Sequence, residues 1–432
     1  MKLWSKENTT TSQLIEDFTV GRDKEFDVLL AEYDVVGSMA HVRMLGKVGL
    51  MQESEVDQAI QGLESILETV RNGKFVIQEG VEDVHSQVEL LLTEQIGDAG
   101  KKIHSGRSRN DQVAVDLKLF LRSEITRLRM DVKDLFDLLI AQSDRFKNDL
   151  LPGYTHLQLA MPSSFGLWFG AYAESLVDDL EMLAAAYQVT NKNPLGSGAG
   201  YGSSFPLNRS YTTQLLNFKT IHHNSVYAQM SRGKTEKLVG MGISTIAATL
   251  SRLSMDCCLY LNQNFGFISF PSNLTTGSSI MPHKKNPDVF ELIRAKCNRI
   301  QSVPNELNLM LTNLPSGYHR DLQLTKEILF PALKDLKQCI QLAILMLSNI
   351  EVSKDILADE KYKYVFSVEK VNELVNQGIP FREAYKQVGN SIENGEFSFD
   401  YTHGLHHTHE GSIGNLSNAD IVREMEMVLE KF

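Results

Sequence analysis

From Gly277 to Asp288 the sequence reads Gly-Ser-Ser-Ile-Met-Pro-His-Lys-Lys-Asn-Pro-Asp, which puts a flexible turn, two hydroxyls and a cluster of cations directly ahead of a helix. Gly277 permits backbone angles that other residues resist, and Ser278 and Ser279 offer hydroxyls. Lys284 carries a positive charge six positions past Ser278, within reach of a bound anion if the loop folds over. Asn286 and Pro287 read as the N-cap and first position of the following helix. Composition alone also fits a solvated Ser/Lys loop. The chemistry suited to the run is removal of a proton from a carbon next to a carboxylate. The carbanion so formed is a doubly charged, enolate-like species, so cations and N–H donors must already be aimed at it. Lys284, Asn286 and the N–H groups of the Gly277-Ser278-Ser279 turn are donors of that kind. A serine hydroxyl is a poor base unless an ammonium and nearby helix ends stabilise the serinate.

The other half of such an elimination is a leaving group that is protonated as its bond breaks, a task suited to histidine. His156 falls between a Pro152-Gly153 turn and Pro162, which reads as the opening of a helix, so it sits on a loop or helix mouth. An imidazole merely hydrogen-bonded at a helix entrance is the plainer alternative. Glu291, one turn into the helix after Pro287, also complements that helix's dipole. Ser108, Arg109 and Asn110 open a further helix, where free N–H groups, a guanidinium and an amide favour a carboxylate. Capping plus a surface arginine would give the same helix start.

The elements that must hold these groups are helical, because period-two alternation is scarce along the chain. From Ser108, with Asp111 three residues on, apolar residues recur at Leu117, Leu121, Leu128, Val132, Leu135, Leu139 and Phe146, which predicts one helix of about 40 residues, near 60 Å long. A second is expected from Pro162 to about Val189, and a third carries Ile246, Leu250, Leu253, Cys257 and Leu261. A fourth starts at Pro287, buries Phe290, Ile293, Cys297, Ile300 and Leu307, and is expected to kink at Pro304. The fifth presents Leu329, Leu333, Leu336, Ile340, Ala343 and Leu347, with Pro331 expected in a first turn or a kink. The fold class that follows is all-α: a long central helical bundle over 106–350, with smaller helical domains at 1–105 and 351–432. Apolar stripes on more than one face call for neighbouring copies of the chain.

The 432 residues carry a formal charge of −11 without a Lys/Arg-rich block, which argues against nucleic acid or an anionic membrane surface as partner. Cys257, Cys258, Cys297 and Cys339 lie in apolar helical patterns without metal-ligand spacing and read as reduced core thiols, in keeping with a cytoplasmic location. The residues after Met1 are polar, and no unbroken apolar stretch suggests a membrane span. His403, His406, His407 and His409 cluster, but Gly404 and the Gly411 to Gly414 loop argue against rigid ligation, so no metal is assigned. Gly196 to Gly202 resembles a phosphate loop only superficially, because neither a strand nor a Gly-Lys-Ser/Thr ending accompanies it.

The order of residues in the 277–288 run resembles the Gly-Ser-Ser-x-Met-Pro-x-Lys-x-Asn motif of the fumarase/aspartase superfamily, whose members release fumarate from succinyl-type substrates. His104 to Gln112 and Pro152 to Gln158 resemble its argininosuccinate lyase branch, and the likeness extends from about Asp34 to about Gln387. The resemblance implies Ser278 as catalytic base, Lys284 as stabiliser of the dianion, His156 as acid and Glu291 as the residue orienting it. Ser278 and His156 could exchange roles, and the sequence does not decide between them. It further implies substrate contacts at Ser108, Arg109, Asn110, Thr155 and Asn286, and at Tyr318, Gln323 and Lys326 for the arginine half, with Asp321 either reinforcing that region or acting as a solvated cap. It implies a homotetramer with a twenty-helix core, active sites shared among three subunits, a small-molecule substrate in arginine biosynthesis, and no cofactor. Alternatives are another fumarate-releasing lyase, acting on adenylosuccinate or aspartate, and a crystallin-like structural protein on the same scaffold. Lys285 and the Tyr318 to Lys326 segment favour argininosuccinate, and an intact Ser278, Lys284, His156 and Glu291 weigh against a structural role. The sequence departs from the family pattern at Leu3-Trp4-Ser5-Lys6, at Thr19-Val20-Gly21-Arg22-Asp23, at Met161 where Gln is usual, and at Arg232-Gly233 where Arg-Asp is usual.

Overall fold

The computed structural model describes residues 13–402, 404, 405 and 407–432; Leu3 to Lys6, His403 and His406 lie outside them. The N-terminal part holds α1 (Ala31–Lys47), α2 (Glu53–Arg71) and α3 (Val84–Ile96). They close over their own apolar core, which includes Val35, Leu45, Leu63, Ile66, Val88 and Leu92.

The bundle begins with α4 (Arg109–Arg145), 37 residues long. Its start is fixed by a capping box: the Ser108 hydroxyl accepts a backbone N–H in the first turn, and Asp111 Oδ1 accepts the Ser108 N–H at 2.8 Å. At the usual rise α4 is about 55 Å long, and its apolar stripe is buried throughout, Leu117, Leu121, Leu128, Val132, Leu135 and Leu139 each being at most 1% exposed. The chain then makes an antiparallel hairpin of β1 (Leu150–Thr155) and β2 (Gln158–Ser164) before α5 (Phe165–Thr190), which Ser164 caps. Pro162 is therefore a strand residue paired with Pro152, and the helix expected to open there starts three residues later, where a serine can satisfy the free N–H of Leu167.

Next come α6 (Lys234–Leu261), the two-residue strands β3 (Thr276–Gly277) and β4 (Lys285–Asn286), α7 (Asp288–Ile300), α8 (Val303–Met310) and α9 (Thr325–Ser348). Pro287, not Asn286, occupies the N-cap position of α7. The expected kink at Pro304 is a break: α7 ends at Ile300, and the proline falls in the first turn of α8, where its missing N–H costs nothing. Pro331, in contrast, lies inside α9. By length and composition α6 could cross a membrane, contrary to the sequence expectation, but half of its apolar window is buried within the protomer. Its first turn also buries Glu236 against Arg232 at 3.2 Å, as suits a core helix. The C-terminal part adds α10 (Ser367–Asn376), α11 (Phe381–Glu393) and α12 (Asn418–Leu429). All four cysteines are free thiols.

Side-chain contacts give the bundle two distinct ends. At one end the mouth of α4 meets the segment after α5 and the start of α6: Gly196 and Gly198 donate to Asp111, and Lys118 Nζ donates to Thr235 at 3.0 Å. At the other, Gln142 near the end of α4 donates to the Leu347 carbonyl, and Tyr154 of the hairpin packs edge-on against Phe265, just past α6. Helices α6 and α7–α8 run antiparallel, since Ser251 bonds Asn298 and Lys237 bonds Asn308.

Candidate active site

The β1–β2 hairpin and the β3–β4 loop both lie at the end of the bundle where α4 finishes. Thr155 pairs with Gln158, leaving His156 and Leu157 as a two-residue turn with φ of 55° and 57°. Positive φ at both positions is the type I′ form of a two-residue hairpin turn. Non-glycine residues there cost on the order of 1–3 kcal/mol each, so the strain holds an imidazole at the exposed tip where Asn-Gly would fold more easily. Leu157 beside it is 80% exposed.

In the second loop, β3 pairs with β4, so the segment from Ser278 to Lys284 closes on itself. Ser278 Oγ accepts the backbone N–H of Met281 at 3.1 Å and that of Ile280 at 3.4 Å, which favours negative charge on this oxygen. Lys284 donates its backbone N–H to Met281 at 3.0 Å, and its exposed ammonium makes no ion pair among the described residues. Asn286 Nδ2 lies 3.5 Å from the Gly277 carbonyl, and the Thr276 hydroxyl donates to Asp288, tying the loop to the first turn of α7. Glu291 is exposed on α7 and, within the protomer, makes no hydrogen bond to His156 among the described residues. The structure thus gathers Thr155, His156, Ser278, Lys284, Asn286 and Glu291 at one end of the bundle, on surfaces open to solvent.

The remaining candidates lie at the opposite end. A cavity of about 230 Å³ is lined by Arg109, Asn110, Tyr318, Gln323 and Lys326, five of the six residues expected there. The sixth, Ser108, is not among the lining residues; its hydroxyl oxygen caps α4, which leaves its O–H free to donate. The same cavity exposes Asp23, Asp27, Glu82, Asp83, Arg232 and Arg320, none of which was singled out as a substrate contact. Lys326 is almost fully buried and sits 2.8 Å from Asp23 and 2.9 Å from Asp27. Burial opposes its charge, but the two carboxylates outweigh that and hold its pKa above the ordinary lysine value. Arg109 is held by Asp83 at 2.9 Å and Ser86 at 2.8 Å, so a substrate carboxylate must exchange with these partners. Gln323 Nε2 donates to the Thr19 carbonyl at 3.1 Å, and Asp321 is exposed outside the cavity.

His85, which also lines the cavity, belongs to a buried ionic cluster. His85 Nδ1 is 2.7 Å from Asp34 and 3.4 Å from Asp116. Burial would lower the histidine's pKa, but Asp34, with Asp116 and Asp83, overrides it and carries the value up to about 9. Burial, reinforced by Asp34, pushes Asp116 well above the carboxylate range. These three side chains could together face a cation, yet the short His85–Asp34 bond and the buried Arg107 already supply the positive charge. At the mouth of α4, the Gly196 and Gly198 N–H groups each lie 2.9 Å from Asp111 Oδ2. Burial raises Asp111 to about 6, against the pull of those donors. The glycine-rich segment is therefore a cradle for an anion, and the anion is a side chain of the same protein.

Residues 6–302 match the lyase family. The chain is 58% identical over 431 residues to argininosuccinate lyase of Bacteroides thetaiotaomicron, an alignment covering 100% of this chain and 96% of the relative, and it matches the enzyme of Bacteroides fragilis to the same extent. Among solved structures, a variant of EDDS lyase with bound fumarate superposes with a TM-score of 0.78 at 20% identity, over 98% of this chain and 91% of the other, a likeness that concerns the fold. The chain belongs to the argininosuccinate lyase family.

Of the four departures from the argininosuccinate lyase pattern, three fall within the described residues. Asp23 binds Lys326 at the cavity, Met161 is 40% exposed on β2, and Gly233 sits at the head of α6. The acidic lining was legible in principle: Asp23 and Asp27 are spaced i, i+4, and Asp83, next to Glu82, is the N-cap of α3. No local signal joins these segments to Tyr318 or Lys326, because their meeting depends on the long-range packing of the N-terminal part against α9.

Proposed function

We propose that the protein is an argininosuccinate lyase that splits argininosuccinate into arginine and fumarate by anti-elimination, in the service of arginine biosynthesis. The observation that carries the mechanism is the division of the groups between the two ends of the bundle. Deprotonation chemistry sits on the exposed loops at one end, and a charged cavity for the rest of the substrate sits at the other. In this scheme the Ser278 oxygen, already facing two N–H donors, takes the proton from the carbon next to a carboxylate of the succinyl half. Lys284 and Asn286 stabilise the resulting dianion. The C–N bond then breaks, and His156, oriented by Glu291, protonates the departing guanidino nitrogen. Thr155, Ser108, Arg109 and Asn110 hold carboxylates. Tyr318, Gln323 and Lys326, with the acidic cavity wall, receive the arginine half. The scheme requires no cofactor.

A single chain cannot bring the two ends together, so the reading includes a homotetramer with active sites shared between subunits. The exposed Leu157, Ile280 and Leu292 near the catalytic loops support it. Domain limits at 1–105, 106–350 and 351–432 and a cytoplasmic location belong to the same reading. The experiment is to offer argininosuccinate, adenylosuccinate and aspartate separately and follow fumarate by ultraviolet absorbance. Equimolar fumarate and arginine from argininosuccinate alone is expected; release from either of the others, or from none, refutes the assignment.

A further inference from the structure

Along the stretch from Ser316 to Arg320, successive residues face two different cavities. Tyr318 and Arg320 line the substrate cavity described above, whereas Gly317 and His319 line a second one of about 340 Å³. His319 has φ −131° and ψ 146°, an extended backbone that turns neighbouring side chains to opposite sides. Arg232 lines both cavities. Arg232 and the Ser316–Arg320 segment therefore border both cavities.

The second cavity lies at the N-terminus of α6 and is lined by Arg232, Lys234 and Lys237, with no carboxylate among its lining residues. Gly233 caps the helix without a side-chain hydrogen bond; its φ of 73° disfavours any side chain there, and a Cβ would lie 2.6 Å from the tip of Leu311. The N-terminus of a 28-residue helix, whose dipole favours negative charge, meets the cavity; the carboxylate in its first turn, Glu236, is buried against Arg232 and is not among the lining residues. A second observation is independent of the helix end. The Arg232 side chain is 3% exposed; its Nε bonds Glu236, its Nη2 bonds the Leu322 carbonyl at 3.2 Å, and its Nη1 has no partner among the described residues. A buried guanidinium donor left unpaired is costly, and an anion in the adjoining space would satisfy it. Of the exposed cations, Lys237 reaches Asn308 at 2.6 Å, and Lys234 lies over the Tyr227 ring at 5.7 Å. Neither is held by a carboxylate.

We propose that this second cavity binds a small, multiply charged anion, inorganic phosphate or a phosphate monoester, and that its occupancy acts on the substrate cavity through Arg232 and the Ser316–Arg320 wall. The inference goes beyond the lyase reading, and Lys234 and Lys237, on which its test rests, do not line the substrate cavity.

The test is calorimetric titration of the full-length, assembled protein with inorganic phosphate and, in a second arm, glycerol phosphate. It compares the unaltered protein with the double variant Lys234→Ala/Lys237→Ala. Neither lysine belongs to the proposed catalytic machinery, so turnover without phosphate should be equal in the two proteins. The expected result is one phosphate per chain with a Kd in the millimolar range or tighter, weakened at least about tenfold in the double variant. Phosphate should also change KM for argininosuccinate in the unaltered protein and not in the variant. If glycerol phosphate binds as well, the site accepts esters; if only the inorganic ion binds, the free ion is the ligand. Failure of both to bind, or equal binding by the variant, overturns the proposal. Because calorimetry reads binding directly, a protein that bound phosphate but released no fumarate would sink the lyase reading and leave this site standing.

Discussion

Pairing two inactive variants should restore activity. Arg109 begins α4 and His156 lies beyond its end, so the 37 residues of that helix hold them apart by about 55 Å. The hairpin can recover only part of this: seven residues from Leu150 to His156, fully extended, reach back by about 24 Å. Roughly 30 Å then remains within one chain, against a substrate whose extended length is on the order of 15 Å. His156→Ala and Arg109→Ala should therefore each be nearly inactive, because every site then lacks one of the two groups. When the variants are co-expressed in equal amounts and assemble at random, a site that draws His156 from one chain and Arg109 from another is intact in roughly a quarter of cases. The assay is fumarate release from the purified mixture, with the oligomeric state checked by light scattering. Recovery of roughly a quarter of unaltered activity is expected. Mixed oligomers no more active than their parents would refute the division of the site between chains.

Further outcomes concern single groups. Ser278→Ala should lower turnover by several orders of magnitude while leaving the oligomer intact, measured by steady-state fumarate production and light scattering. His85 is raised from 6.5 to about 9, so its stabilising contribution is complete below about pH 6.5 and is lost as pH rises through about 9. At about 1.4 kcal/mol per pH unit this amounts to about 3 kcal/mol, and the raised Asp116 acts in the same direction. Denaturant midpoints should fall between pH 6.5 and 9 in the unaltered protein and less steeply in His85→Asn; equal slopes would contradict the assignment. Asp111→Ala leaves the Ser108, Gly196 and Gly198 N–H groups without their acceptor and should destabilise the protein by about 2 kcal/mol or more, as read by thermal unfolding.

How much of this was legible in the sequence depended on the range of the interactions involved. Helix α4 was readable because its determinants are local: Ser108 and Asp111 form the cap, and its apolar stripe repeats at helical spacing. The loop from Gly277 to Asp288 was readable because its unusual composition sits in one continuous run. The β1–β2 hairpin was not, since Pro152, Gly153 and Pro162 interrupt any alternation and its register shifts between Pro152 and Tyr154. Proline supplied one more misplacement, at 304, where a kink was expected. At 304 it begins a helix and at 331 it is tolerated within one, and the choice was made by burial of Val303, Phe330 and Ala332 against the bundle. Of the cavity, the basic and aromatic lining was anticipated, but its acidic wall comes from residues 23 to 83 packing on residues beyond 318. That pairing is tertiary and leaves no periodic trace.

The most direct measurement is a structure of the assembled Ser278→Ala protein with unreacted argininosuccinate. The account predicts one substrate bridging two or more chains, its succinyl half beside His156, Lys284 and position 278, and its arginine half among Tyr318, Gln323 and Lys326 of a different chain. A substrate bound wholly within one chain, or away from His156, would contradict it.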